Sequence, residues 1–387
     1  MRGRHAAIGE PAGPDDLSLE GRLASVTDDN ILREPDAYIW GGSGIQGEDG
    51  KYYLFYARSP NDMHGRASGD SHFADMSGWL KYADIAAAVS DQPAGPFKPL
   101  GTVLKGTGNP ADWNCFTAIL PQVRRYGSKV CLYFTSTNPE SDKAPADRRG
   151  ESAAEIADDN NRWLRYLAGQ RIGVAVADSV ADLAADRLQG HPQMLVGPDG
   201  KNTFNRTVTP AVTQGSDGRY FMMFTSTSSP DGRGPSTLRI ATAPSPIGPF
   251  TPAGVVFRDA NYAADDPCLW YDLQRRRYYA IVKNSSNSGV LGPQAGALAL
   301  ITSEDGLTGW RAANHKLVSL RQYQTSDGKF HPLSFLERPS LLLDGQNRPL
   351  CLFAVASEGP PPPASSFNIQ FPILPPEGAS TQSAEKH

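Results

Sequence analysis

One hairpin design occurs five times along this chain, and this repetition constrains the fold more than any other feature. Each copy has an apolar strand that opens at a turn, then a short polar loop, then a second strand rich in aromatic and β-branched residues. The first strands open near Gly42, Leu120, Thr209, Asp266 and Glu337. The second strands cover 51–56, 130–134, 220–224, 278–282 and 350–353. Five all-β units of one design predict a closed ring of small antiparallel sheets, a five-bladed β-propeller.

A third strand is expected in every unit. The expected segments are 85–89, 172–176, 238–242 and 298–302, with a displaced fifth copy at 366–371. The units start farther apart than the ~40–50 residues of short propeller repeats, which predicts long loops inserted between strands. The two largest insertions are 57–83 and 138–170, and long loops on a rigid scaffold often carry function. The predicted fold class is therefore all-β, a five-bladed β-propeller with long inter-strand loop insertions.

The predicted organisation has three parts. Residues 1–30 are expected to form an N-terminal extension that packs on the propeller, and 31–376 the propeller domain itself. The polar segment 377–387 is expected to be a disordered tail.

Composition narrows the classes of partner. The formal net charge of the 387-residue chain is −4, which lacks the basic field that a nucleic-acid partner requires. No apolar run approaches the roughly 20 residues that span a bilayer, so no membrane partner is expected. The basic N-terminus precedes no apolar stretch, so we expect no secretory signal and a cytoplasmic location, with an exported mature form as the alternative. Four widely spaced cysteines indicate free thiols more than a metal site or disulfides, and the oligomeric state cannot be read.

Acidic residues stand at the starts of two inner strands. The first strand of each propeller blade lines the central channel, so its opening residues meet at one mouth although they are distant in sequence. This places Asp266 and the pair Glu337 and Arg338 near one another. Hydrolysis of a glycosidic bond needs two carboxyl groups, one that donates a proton to the leaving oxygen and one that activates water or attacks the sugar. The pattern therefore predicts acid–base chemistry at the channel mouth.

Several strand openings resemble those of glycoside hydrolase family 43. The matching strings are 39–43, 170–178, 265–271 and 336–342, which read IWGGS, QRIGVAVAD, DDPCLWY and LERPSLL. Families 43, 32, 68 and 117 have a five-bladed propeller with acidic residues in its central cavity, and the resemblance covers residues 31–374. It implies a glycosidase, a carbohydrate substrate, and three carboxylates: an Asp base on the first blade, an orienting Asp and a Glu acid. Long loops that block one side of the cavity favour exo action over endo action. The resemblance also allows a calcium ion in the channel, although no ligand loop and no other cofactor can be read from the residues.

This chain departs from the family pattern at three blades. The first opening has Gly41 and Gly42 where the family has an Asp, and the second and third have Leu120 and Thr209. Within the resemblance, we assign Glu337 as the general acid and either Asp266 or Asp36 as the base or water-orienting carboxylate. The alternatives are a turn role for the two aspartates and a structural ion pair between Glu337 and Arg338.

Further residues are candidates for binding the substrate. Tryptophans near inner strands can stack on sugar rings or pack in the core, and cations or loop histidines can reach over the rim or remain on the surface. The candidates are Trp40, Trp113, Trp270, Arg338, Arg171, His64 and His331.

Two other classes of function stay open at this stage. One is a propeller that binds carbohydrate or a partner protein without catalysis, which the missing acids on blades one to three favour. The other keeps the scaffold but performs transfer or elimination chemistry. Whether Asp36, Asp266 and Glu337 lie close together distinguishes these readings, because glycosidases hold their carboxyl groups within about 10 Å.

Overall fold

The structure, a computed structural model, contains five four-stranded antiparallel sheets, and the predicted five-bladed β-propeller is confirmed. It describes residues 11–60, 80, 82–138, 166–228, 236–359 and 365–376. Most of both predicted insertions, including His64, and the tail 377–387 lie outside these residues.

Each blade is a meander whose innermost strand lines the channel. In blade V the outermost strand comes from the N-terminal end of the chain. The strands of blades I and II are β2 (Ala37–Gln46), β3 (Tyr52–Pro60), β4 (Asp84–Ser90), β5 (Lys98–Leu104), β6 (Ile119–Tyr126), β7 (Lys129–Thr137), β8 (Gln170–Ala177) and β9 (Gln193–Val196). Those of blades III and IV are β10 (Val208–Gln214), β11 (Tyr220–Thr227), β12 (Ser236–Ala243), β13 (Thr251–Val255), β14 (Ala264–Asp272), β15 (Arg277–Asn284), β16 (Leu298–Ser303) and β17 (Arg311–Ser319). Blade V contains β20 (Phe335–Leu343), β21 (Pro349–Ser357), β22 (Phe367–Pro372) and β1 (Ile31–Leu32).

The ring is closed by pairing between the two ends of the propeller. Strand β1 pairs antiparallel with β22, with Ile31 opposite Ile369 and Leu32 opposite Asn368. All five predicted third strands are present, as β4, β8, β12, β16 and β22. A small hairpin, β18 (Gln322–Gln324) and β19 (Phe330–Pro332), precedes blade V, and one short helix, α1 (Val180–Ala184), follows β8.

The core consists of apolar layers between neighbouring blades. Each layer draws side chains from two adjacent sheets: Phe55 and Phe134 join blades I and II, and Phe221 and Tyr278 join blades III and IV. Both faces of a blade are thus covered, which explains why the second strands are nearly continuous apolar and aromatic runs. Burying a large apolar side chain contributes about 1.5–3 kcal/mol, so these layers are the main source of stability.

The described part of the N-terminal segment, 11–30, packs on blades IV and V. Leu17, Leu19 and Val26 are buried in the same apolar cluster as Trp270, and the amide of Ala24 donates to the carbonyl of Pro372 at 2.9 Å. All four cysteines are buried free thiols. Among the described residues, no helix has the length and apolar character needed to cross a membrane.

Candidate functional site

The five inner strands share one backbone irregularity at the mouth of the channel. A single residue in each has a φ between 53 and 56°, and the pairing with the second strand shifts there. These residues are Gly41, Leu120, Thr209, Asp266 and Arg338. A non-glycine residue in this left-handed region costs about 1–2 kcal/mol, and such strain is often found at functional sites. The four non-glycine positions are each followed by proline, which has no N–H to donate to the strand ladder.

This shared turn directs five equivalent residues toward the axis. They border a central cavity of about 40 Å³, large enough for a water molecule. The counterpart of Asp266 in blade I is Gly41, one residue before the expected Gly42. In blade V it is Arg338, and Glu337 occupies the place that Asp265 has in blade IV.

A cluster of charged groups lies where blades IV and V meet the channel. The Asp266 carboxylate is fully buried and accepts hydrogen bonds from the guanidinium of Arg338 and, at 3.3 Å, from the backbone N–H of Arg338. Lys283 Nζ lies 3.5 Å from Asp266 Oδ2 and 2.8 Å from Glu337 Oε1. Lys283 therefore contacts both carboxylates, Asp266 and Glu337, which the sequence predicted to lie near one another.

Asp265 extends this cluster toward blade III. Its carboxylate accepts a hydrogen bond from the Thr225 hydroxyl at 2.6 Å, and Arg206 Nη2 lies 3.5 Å away. The backbone N–H of Asp266 also donates to Asp265 at 2.9 Å. Three acidic and three basic side chains thus share a largely buried site, so each charge has a partner close by.

The pKa values of the two adjacent aspartates shift in opposite directions. Burial acts to raise the pKa of Asp265, but Lys283, Arg206 and Arg338 together bring that pKa well below its usual range. For Asp266, burial raises the pKa and outweighs the opposing effect of Arg338 and Lys283. Burial acts to lower the pKa of Lys283, but Asp266 and Glu337 raise it above its ordinary value. Lys283 is therefore an ammonium ion, which can donate hydrogen bonds and accept none.

Glu337 differs from the two aspartates because it reaches a second cavity. Its side chain is 15% exposed and borders a cleft of about 240 Å³ between blades IV and V. The cleft is also lined by Lys283, Asn284, Ser285, Gly296, Arg321 and Ser334. Ligand pockets typically measure roughly 300–1,000 Å³, so this cleft suits a small ligand.

The remaining candidates at the mouth are Trp40 and Asp36. Trp40 directly precedes Gly41, is partly exposed, and meets the ring of Phe335 edge-on with 6.3 Å between ring centres. It stands between blades I and V beside the cleft residue Phe335. Asp36 is exposed in the turn before β2, and among the described residues it borders neither cavity. The structure therefore groups Asp266, Glu337 and Arg338, with Trp40 close by and Asp36 apart.

Two tryptophans lie in apolar layers away from the mouth. Trp270 is fully buried and stacks on Tyr279 with 5.7 Å between ring centres, so its faces are closed to a sugar. Trp113 packs on Phe134 and covers Gly173, where a side chain would collide with its ring at 2.2 Å. We therefore withdraw both residues from the candidate site. Trp270 lies farther down its strand than the rim residues, where neighbouring blades enclose its side chain.

Arg171 and His331 have partners within their own regions. The guanidinium of Arg171 donates to the carbonyls of Gly169 and Asn138, at 2.8 and 3.2 Å, next to the second insertion. His331 stacks on Tyr323 in the β18–β19 hairpin, with 4.9 Å between ring centres. Neither residue borders the two cavities in the described part of the chain.

The sequence did not identify three members of the cluster, namely Asp265, Lys283 and Arg206. One signal was available for Lys283, because a lysine at the end of an otherwise apolar and aromatic strand is unusual. In the structure it lies opposite Asp265. A one-residue bulge in β14 sets that register, and counting back from the hairpin turn does not reveal it.

The channel residues do not fit the calcium ion that the family resemblance allows. Calcium takes 6–8 oxygen ligands, whereas Asp266 is the one carboxylate among the described residues around the central cavity, and two cations already bind it. Farther along the channel, Arg124 of blade II donates to the carbonyl of Leu341 in blade V at 3.2 Å, which brings a guanidinium across the axis. In the described parts of the chain, no group of three or more His, Cys, Asp or Glu side chains could hold a metal.

Comparison with known proteins identifies the fold. No protein-family model matches the chain, and no curated protein sequence matches it. Among solved structures it is similar to a protein of unknown function from Dyadobacter fermentans DSM 18053, with 11% identity, a TM-score of 0.56, and coverage of 91% of this chain and 100% of that one.

Two further similar structures are named as glycoside hydrolases. Zg3597, a family 117 glycoside hydrolase from the marine bacterium Zobellia galactanivorans, has 14% identity and a TM-score of 0.53 over 91% of this chain and 88% of its own. A family 43 endo-arabinanase from Bacillus licheniformis has 12% identity and a TM-score of 0.50, over 87% of this chain and 94% of its own. At these identities the likeness establishes a shared five-bladed propeller, and function is argued from the site.

Proposed function

We propose that this protein is a glycoside hydrolase that removes a sugar from the end of a small glycan or glycoside, with Glu337 as the carboxylate that acts on the sugar. The observation that carries the proposal is the placement of Glu337 at the cleft. Its Oε1 binds Lys283, whereas Oε2 has no hydrogen-bond partner among the described residues. The small cleft favours a terminal sugar over an internal segment, and glycosidases with this propeller make a carbohydrate substrate the natural expectation.

The contact with Lys283 bears on the role of Glu337. Lys283 donates a charge-assisted hydrogen bond to Oε1, and this kind of bond stabilises a carboxylate. A carboxylate held in this way is suited to activating water or attacking the sugar, so we favour the role of base or nucleophile over that of general acid. Asp266 is enclosed by Arg338 and Lys283, and we assign it the positioning of Lys283 against Glu337. In this scheme the leaving oxygen takes up its proton from solvent water, because no second carboxyl group of the described residues lines the cleft.

A panel of aryl furanosides and pyranosides with good leaving groups tests this role directly. Such leaving groups need little protonation, so the rate of aryl alcohol release reports on the carboxylate that acts at the sugar. We expect Glu337→Gln to lower that rate by about 10²–10⁴-fold. Glu304→Gln is the matched control, because Glu304 is 73% exposed at the end of blade IV, where it pairs with Arg277. It should retain the wild-type rate.

Two outcomes would contradict the proposal. If Glu337→Gln hydrolyses the aryl glycosides as fast as wild type, Glu337 has no catalytic role. If wild type releases no aryl alcohol from any member but binds sugars, the protein is the non-catalytic carbohydrate-binding propeller. That second candidate is favoured by the three blades whose rim residues, Gly41, Leu120 and Thr209, carry no acid.

A further inference from the structure

The cleft beside Glu337 contains an arginine whose charge is not balanced by a neighbouring acid. Arg321 borders the cleft together with Lys283 and Glu337, and these three are its charged lining residues in the described chain. Lys283 is paired with both Asp266 and Glu337. No ion pair involves Arg321 among the described residues, so the cleft has an excess of positive charge at that point.

The other arginines near the rim contrast with Arg321. Arg338 is paired with Asp266, Arg206 with Asp265, and Arg58 with Glu34 at 2.6 Å. A half-buried guanidinium without a counter-ion commonly binds carboxylates or other planar or tetrahedral anions. The missing partner of Arg321 is therefore expected to come from a ligand.

The position of Arg321 is fixed by two hydrogen bonds and by packing of its side chain over a glycine. Its N–H donates to Gln294 Oε1 at 2.9 Å, and its Nη1 donates to the Ser334 carbonyl at 2.9 Å. Its stem lies over Gly296, where an added Cβ would be 2.6 Å from Arg321 Cδ. Its Nε is buried and has no hydrogen-bond partner in the described chain. Most of the guanidinium donors thus remain available at a fixed place in the cleft.

We propose that the cleft binds a sugar that carries an anionic group, a carboxylate or a sulfate, and that Arg321 binds this group. The inference rests on the proposed function only in taking the ligand to be a sugar. Glu337 lines the same cleft and would then face the bond to be cleaved, with the anionic group held on the Arg321 side. Specificity follows because a neutral sugar leaves the guanidinium without its partner.

Calorimetric titration with matched sets of methyl glycosides tests the inference. Each set contains one sugar in its neutral, uronic acid and 6-sulfate forms, and the titrations use wild type, Arg321→Met, Arg321→Lys and Arg219→Met. In at least one set we expect an anionic form to bind about 10- to 100-fold more tightly than the neutral form. Arg321→Met should abolish this preference, and Arg321→Lys should retain part of it because a lysine lacks the fork of donors.

The control variant replaces an arginine that does not line the cleft. Arg219 is in the exposed hairpin of blade III, paired with Asp217, so Arg219→Met should bind as wild type does. The inference is wrong if no anionic form binds, if neutral and anionic forms bind equally, or if Arg321→Met keeps the preference. The uronic acid and sulfate arms identify which anion is recognised. Anionic sugars that bind without being cleaved would overturn only the proposed hydrolysis. Anionic glycosides that both wild type and Arg321→Met cleave no better than the neutral ones would overturn only this inference.

Discussion

Blades I–III and blades IV–V use the same backbone at the channel mouth and differ in chemistry. All five inner strands contain the left-handed residue and the pairing shift. In blades I–III this residue is Gly41, Leu120 or Thr209, whereas in blades IV and V it is Asp266 and Arg338, which bind each other. The repeated scaffold therefore provides five equivalent positions, and charge is concentrated on two adjacent ones. The site occupies one sector of the mouth rather than its centre.

The hydroxyl of Thr225 forms hydrogen bonds in both sectors. Thr225 Oγ1 lies 2.9 Å from the hydroxyl of Thr209 in the uncharged sector and donates to Asp265 at 2.6 Å in the charged one. On the blade III side of Thr225 the rim is held by neutral hydrogen bonds, and on the blade IV side it is held by ion pairs. Because a buried charge that loses its partner costs far more than a lost neutral hydrogen bond, the two sectors should respond very differently to mutation.

The largest expected effect comes from breaking the buried ion pair. Arg338→Met leaves Asp266 without its main partner, and we expect a loss of about 3–5 kcal/mol in the free energy of unfolding. In the uncharged sector, Thr209→Val removes one hydroxyl at the equivalent position and should cost about 1 kcal/mol. Urea unfolding of both variants measures the difference.

A double variant separates the ion pair from packing. Asp266→Leu with Arg338→Met replaces both charges by apolar groups of similar size, and should recover most of the loss. If Arg338→Met and Thr209→Val cost the same, or if the double variant is no better than Arg338→Met, the charged sector is not held together by its ion pair.

The next effect is a difference between acids of the two sectors in how they make the free energy of unfolding depend on pH. In blade I, burial raises the pKa of Asp84 to about 6, although Lys105 and Arg58 act to lower it. An acid with a raised folded-state pKa contributes stability below its unfolded value of about 3.9, and that contribution is lost as the pH rises through 6. The contribution of Asp265 to stability changes with pH in the opposite direction. Cations lower its pKa, so the contribution is present above the unfolded pKa of about 3.9 and is lost as the pH falls below that value.

Unfolding at pH 4, 5, 6 and 7 tests this contrast. Asp84→Asn should match wild type at pH 4 and exceed its stability at pH 7 by about 1–3 kcal/mol. Asp265→Asn should be less stable than wild type by nearly the same amount at all four pH values, because the contribution of Asp265 is lost only below its unfolded pKa of about 3.9. A difference between Asp84→Asn and wild type that is constant with pH would show that Asp84 is ionised alike in the folded and unfolded chain.

The repeat pattern predicted the fold well because each hairpin and third strand has a local signal of apolar residues and turns. Two kinds of strand had no such signal. The outermost strands, such as β13 (Thr251–Val255), are short and largely exposed, and β1 is only two residues long and pairs with the far end of the chain. Their pairing depends on ring closure, which local sequence does not encode.

The site was predictable only in part, for a related reason. Asp266, Glu337 and Arg338 stand directly at strand openings, so the propeller topology alone brings them together. Lys283 lies near the end of the second strand of blade IV, and Arg321 follows the fourth strand. Their approach to the mouth depends on the bulge in β14 and on loop paths. Trp270 has the core-packing role, one of the two alternatives for the tryptophans, because a strand residue four positions below the rim is covered by blades on both faces.

The smallest expected effect concerns the contact through which blade I touches the charged sector. Gly41 has a φ of 55°, and an added Cβ would lie 3.2 Å from Cβ and 3.3 Å from Cγ of Arg338. Gly41→Ala combines left-handed strain of about 1–2 kcal/mol with this crowding. Gly218→Ala is the matched control, because Gly218 also has a positive φ, in the blade III hairpin, with nothing within 4 Å of an added Cβ.

We therefore expect Gly41→Ala to lower the free energy of unfolding more than Gly218→Ala, by up to about 1 kcal/mol. The excess reports how firmly Arg338 is held, since a guanidinium fixed by Asp266 cannot move aside for the new methyl group. Urea unfolding in parallel gives the difference directly. If the two glycine variants lose equal stability, Arg338 yields freely, and the charged sector is less rigid than its buried ion pairs indicate. An excess that disappears when Arg338 is also replaced by glycine would locate the coupling at this one contact between blades I and V.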